Sequence, residues 1–182
     1  MNPEEPKFPH ELAFMIGKSH IAGKALHWLK PGDVPQPFQK LLVHDQDMTS
    51  KLAAFHSDEI RLEVLKSEQH DLVHLREVVL HAATHGTPVE YGVIEILLDA
   101  FPPDVHQDIL EGQTPLGTLI IQSALPFRSE PQGFFSIAQD AVADIFPKSP
   151  GGENLYGRYN HLMRNDDGSC LARIIEILPL AP

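Results

Sequence analysis

Two periodicities alternate along this chain. Phe38, Leu41, Leu42, Met48, Leu52 and Phe55 recur at helical spacing, on a stripe broken only by Asp45 and Thr49. Positions i, i+3 and i+4 share one helix face, so the spacing predicts a helix from Phe38 to Phe55. At Ile60 the period drops to two: Ile60, Leu62 and Val64 alternate with Arg61, Glu63 and Leu65, as in a strand. A second strand is expected over Leu72–Leu80 and a third over Val89–Leu98, with His81–Pro88 as the turn between them. Short loops join only antiparallel neighbours, so these three strands form a meander.

Proline opens the next segment. Pro102–Leu110 reads as a short helix with proline in its first turn, and Pro115–Ile121 as either a helix or a strand. Phe134, Phe135, Ala138, Ala141, Val142 and Ile145 lie on one helical stripe, which predicts a helix within Ser129–Phe146. Pro147–Gly152 is expected as a loop. The chain closes with a hairpin, Leu155–Met163 and Leu171–Leu178, turned at Asn165–Ser169, where Asp167-Gly168 supplies the positive φ of a reversal. Residues 1–37 are rich in turn formers and read as an arm, with one helix near 10–28, draped over a domain of residues 38–182. Helices segregated from antiparallel strands define an α+β layer fold.

Composition narrows the class. A chain of 182 residues with 42% hydrophobic and 21% charged residues fits one globular domain that needs no disulfide or structural metal. The formal charge of -11, with no Lys/Arg cluster, argues against a nucleic-acid or anionic-membrane surface. Any anion site must therefore be local. The lone Cys170 can form no internal disulfide, which fits a reducing compartment. The acidic, proline-rich start is unlike a signal peptide, and no apolar run reaches membrane-spanning length. A cytoplasmic protein is expected.

Two charges sit where apolar residues belong. Arg76 shares a strand face with Val78 and Leu80. A guanidinium there needs partners for five donors, either an internal carboxylate or a bound one held bidentately. Glu176 interrupts Ile174-Ile175-Glu176-Ile177-Leu178. A carboxylate so placed is paired or partly protonated, because desolvation raises its pKa. The two residues are readable as one buried ion pair or as parts of a site. The 11 histidines suggest no metal, since the four-residue spacings His70/His74 and His81/His85 fall in strand or turn segments, and they read as scattered surface residues. There is no nucleophile elbow, dinucleotide fingerprint or phosphate loop.

An ordered set of short motifs resembles the chorismate lyase family. It comprises Leu41-Leu42 with Asp47-Met48-Thr49, then Leu75-Arg76-Glu77-Val78-Val79-Leu80 followed by a glycine-containing turn and Pro88. Thr114-Pro115-Leu116-Gly117, Leu155-Tyr156-Gly157-Arg158 and Ile175-Glu176-Ile177-Leu178-Pro179 complete it. The resemblance spans roughly residues 38–180. It implies a six-stranded antiparallel sheet with an internal pocket for an aromatic or enolpyruvyl acid. By that likeness Arg76 would hold the ligand carboxylate, Glu176 the oxygen across the ring, and Met48, Leu116 and Gly92 would line the pocket.

The implied reaction is cofactor-free elimination of pyruvate from chorismate to give 4-hydroxybenzoate or a related aromatic acid, with Glu176 and Arg76 as the catalytic pair. No metal, nucleic acid or membrane partner is implied, and a monomer or homodimer is expected. The sequence departs from the family at Val93, where lyases carry an arginine after the glycine, and at Tyr156, where they carry tryptophan. Chorismate has two carboxylates, so a second cation is needed, for which Arg128 and Arg158 are the candidates. The same fold serves as the effector-binding domain of a family of bacterial transcription regulators. A non-enzymatic binder of aromatic acids, without a DNA-binding part, is therefore the competing expectation.

Overall fold

The computed structural model describes residues 5–147 and 154–179. Seven antiparallel strands form one sheet: β1 (His27–Leu29), β2 (Ile60–His70), β3 (Val73–Ala82), β4 (Thr87–Leu97), β5 (Phe127–Ala138), β6 (Asn154–Arg164) and β7 (Cys170–Leu178), in the order β1-β5-β6-β7-β4-β3-β2. The meander β2–β3–β4 and the β6–β7 hairpin form as their patterns predict, the hairpin turning at Gly168 with φ of 75°. The fold is α+β, an antiparallel sheet with helices packed on it.

The sheet is covered on both faces. Helix α1 (His10–Gly17) buries Leu12 and Met15 on one face, against Leu75, Val79, Tyr91, Val93, Ile175 and Ile177. On the other face lie α2 (Phe38–Leu42), α3 (Met48–His56), α4 (Pro103–Glu111) and α5 (Leu116–Gln122), over Val78, Leu80, Ile94, Ile96 and Ile174. Strand alternation sorts the residues: odd-numbered positions of β3 go to the first layer and even-numbered ones to the second.

Three expectations are corrected. The segment 129–146 is not helical; β5 occupies Phe127–Ala138, followed by a 3-10 turn at Gln139–Val142. Phe134 packs into the layer beneath α2 while Phe135 and Ile137 pack into the opposite one. A strand buried on both faces loses its polar alternation, and its apolar run imitates a helix stripe. The arm's helix stops at Gly17, and residues 27–29 instead add β1 to the edge at β5; β1 and β5 together bring the five strands read from the pattern to seven. The helix expected over 38–55 is two helices, because Asp47 caps α3 by accepting the Ser50 amide at 2.7 Å. Beyond Pro147, the loop expected over Pro147–Gly152 lies outside the described residues. Among the described residues no helix is long and apolar enough to cross a membrane.

Candidate functional site

Registers on the helix-covered face build the site row by row. Arg76 pairs with Ile94, Val78 with Gly92, and Leu80 with Glu90 across β3 and β4. Gly92 in turn faces Glu176 on β7, and Glu176 faces Arg158 on β6. Arg76 and Glu90 are thus separated by two residue steps on either side of the Gly92 row, about 13 Å along the strands at 3.3 Å per residue. Glycine at the middle row leaves the floor low between them. A Cβ there would lie 3.2 Å from the Val78 Cγ2 and 3.5 Å from the Glu90 Oε1.

The N-terminal ends of α3 and α5 roof this floor. Met48, Thr49, Pro115, Leu116 and Gly117 face Arg76, Glu90 and Glu176 across a cavity of about 40 Å³. That is room for about three waters. The helix ends meet closely because residue 117 is glycine: a Cβ there would stand 2.6 Å from the Asp47 Oδ1 and 3.0 Å from the Thr49 Oγ1.

Arg76 is 1% exposed and has no carboxylate partner among the described residues. Its Nη1 donates to the Ile109 carbonyl at 3.3 Å, while Nε and Nη2 are buried with no hydrogen-bond partner. Burial lowers its pKa to about 10, which leaves it a cation at neutral pH. Arg76 also borders a second, more open pocket of about 350 Å³, walled by Val64, Ser67, His74 and the α4–α5 connection at Glu111–Gln113. The guanidinium therefore borders both the cavity beneath α3 and α5 and this second pocket.

Glu176 is paired, but with Arg158 rather than with Arg76: the Arg158 Nε donates to its carboxylate in a fully buried ion pair. Arg158 also donates through Nη1 to the carbonyls of Leu42 and His44, at 3.0 and 3.2 Å. It is tied to the break between α2 and α3 and does not line the cavity. Arg128 is a surface residue bound to Glu130 and Asn165. The structure brings neither candidate for a second anion contact to the cavity. Val93 packs in the opposite layer with Tyr91 and Ile175, and Tyr156 packs against Phe38. Met48, Arg76, Leu116 and Glu176 line one cavity, and Gly92 lies beside Glu176 in the sheet beneath it.

Glu90 escapes the sequence reading. It is 3% exposed, lines the cavity, and its Oε2 is buried without a partner. Burial, and then the neighbouring Glu176 carboxylate, push its pKa well up, against the pull of Arg158. One signal was present: Val89-Glu90-Tyr91-Gly92 alternates, placing Glu90 on the Gly92 side of β4. The histidines are not all on the surface either. His74 is buried next to Arg76, and burial followed by that guanidinium lowers its pKa to about 4. Among the described residues no group of three His, Cys, Asp or Glu stands where it could hold a metal ion.

Arg76 thus stands at a cavity set between an antiparallel sheet and two helix ends. The structural comparisons show a likeness of fold. PhnF from Mycobacterium smegmatis matches with a TM-score of 0.53 at 13% identity, over 73% of this chain and 63% of that one. The effector domain of the same protein matches with a TM-score of 0.53 at 11% identity, over 74% of this chain and 88% of that one. The chain thus spans under two thirds of whole PhnF but most of its effector domain. No family model matches the sequence, and no curated protein matches it.

Proposed function

We propose that this chain is a binding domain for a small aromatic acid, whose carboxylate is captured by Arg76. The observation that carries this reading is a buried cation with two unpartnered donors at the edge of a cavity. Uncompensated, such a group is costly; a carboxylate supplies both the charge and the geometry, at about 1.5–3 kcal/mol per charge-assisted bond. The likeness in fold to an effector domain supports the same reading.

A ring cannot enter a space of about 40 Å³ without movement. Met48, Leu116 or the helix ends that carry them must shift, so binding is coupled to parting of α3 from α5. The polar pocket outside Arg76, walled by Ser67, His74, Glu111 and Gln113, offers an approach for the anion.

Chorismate lyase activity is the second reading. Three acids in the cavity wall, Asp47, Glu90 and Glu176, favour it, since the elimination requires one managed proton. Against it, Arg76 is the cavity's one cation without a carboxylate partner, and chorismate carries two carboxylates. Thermal shift and calorimetry with 4-hydroxybenzoate, run beside a chorismate assay, decide the matter. Saturable binding without turnover is expected. Pyruvate released with an equimolar aromatic acid, above the spontaneous rate, would establish the lyase instead, and no binding of any aromatic acid would sink both.

A further inference from the structure

We infer that Glu90 is a ligand-contacting residue, donating a hydrogen bond to a neutral oxygen at the end of the ligand away from its carboxylate, and that the ligand class is accordingly a monocarboxylate. This rests on the proposed binding role of Arg76.

The geometry supplies the argument. Arg76 and Glu90 stand at opposite ends of a floor lowered by Gly92, with Val78 between them on β3. Both side chains line the same cavity and both present buried atoms with no partner: Nε and Nη2 of Arg76, Oε2 of Glu90. A buried polar group left unpaired costs about 1–3 kcal/mol, so each is expected to meet a ligand atom. The groups facing Glu90 fix what that atom is. Glu176 lies one strand away with its carboxylate taken up by Arg158, and Asp47, at the head of α3, caps its own helix. Among the described residues the cation that acts on Glu90 is Arg158, whose charge is already matched by Glu176, so a second carboxylate brought here would add a negative charge with no cation of its own. A carboxylic acid that keeps its proton can instead donate to a phenol or carbonyl oxygen. Burial and Glu176 both favour that form, against the pull of Arg158.

The test compares three probes of similar size by calorimetry: 4-hydroxybenzoate, benzoate and benzene-1,4-dicarboxylate. The wild-type protein should bind 4-hydroxybenzoate about tenfold more tightly than benzoate and should bind the dicarboxylate at least tenfold more weakly than 4-hydroxybenzoate; tenfold is about 1.4 kcal/mol. Glu90→Leu should erase the preference for the hydroxyl, so that 4-hydroxybenzoate and benzoate bind that variant equally within about threefold. Glu90→Gln, of equal size and still a donor, should keep the preference and guards against misfolding of the leucine variant. A hydroxyl preference that is absent in the wild type, survives Glu90→Leu, or disappears in Glu90→Gln overturns the contact. A dicarboxylate bound as tightly as 4-hydroxybenzoate overturns the ligand class. Either result leaves Arg76 capture intact if benzoate still binds; no binding of benzoate or 4-hydroxybenzoate removes the underlying reading, and the inference with it.

Discussion

Arg158 on β6 and Glu176 on β7 are register partners joined in a buried ion pair, and Arg76, two strands further along the same face, is left with no carboxylate. The two arginines are equally buried but answer to different needs. Arg158 completes the fold by holding Glu176 and the carbonyls of Leu42 and His44. Arg76 donates to a single carbonyl.

Opposite effects of one substitution follow from that difference. Arg158→Met strands the Glu176 carboxylate and should cost about 3–5 kcal/mol, the usual loss when one partner of a buried pair is removed. Arg76→Met removes an uncompensated buried charge and should leave the ligand-free protein as stable as the wild type, or more stable. Its cost appears only with ligand. Wild type at about 100 times Kd gains roughly 2.7 kcal/mol from binding, and Arg76→Met should gain nothing. Chemical denaturation with and without 4-hydroxybenzoate measures all four states. Equal destabilisation by the two substitutions would make Arg76 a structural residue.

The contact between the heads of α3 and α5 depends on Gly117. Gly117→Ala forces its Cβ against the Asp47 carboxylate that caps α3. Overpacking typically costs about 1–3 kcal/mol and a lost N-cap about 1 kcal/mol, so the melting temperature should fall by several degrees. Because the roof of the cavity moves with it, 4-hydroxybenzoate affinity should fall too. Gly32→Ala, where nothing lies within 4 Å of the added carbon, is the control and should stay within about 0.5 kcal/mol of wild type.

The reach of sequence reasoning can be traced through these residues. Period-two alternation along β3 placed Arg76 on the face of Val78 and Leu80, where it is found, because alternation is a local property of the strand. The partner of Glu176 is not local. It depends on a one-residue choice of register in the β6–β7 hairpin, including the irregularity between Leu162 and Met163, and a sequence pattern does not carry that choice. Strand β5 was hidden for a third reason: both of its faces are buried, so burial itself removed the alternation that reveals strands. Glu90 was on the correct face by simple counting, yet its importance comes from an absence of partners, which only the packed structure displays.

His74 gives a test of the charge environment of Arg76 through pH. In the folded chain burial and Arg76 hold its pKa at about 4, whereas in the unfolded chain it returns to the ordinary value near 6.5. Between those values the unfolded chain binds a proton that the folded chain refuses. Stability from this group is therefore complete above pH 6.5 and declines as pH falls toward 4. His44, depressed to about 4 by burial and Arg158, acts in the same direction. Glu90 acts oppositely, because its raised pKa makes the folded chain the stronger proton binder above about pH 4.5, the ordinary carboxylate value. The net curve mixes these terms, so the informative quantity is a difference. The melting temperature of His74→Leu minus that of wild type should rise steadily as pH is lowered from 6.5 to 4.5. Pairing this variant with Arg76→Met should reduce that rise, since the guanidinium is part of what keeps His74 neutral. A difference constant across the range would mean that His74 titrates normally and that Arg76 is far better screened than its burial implies.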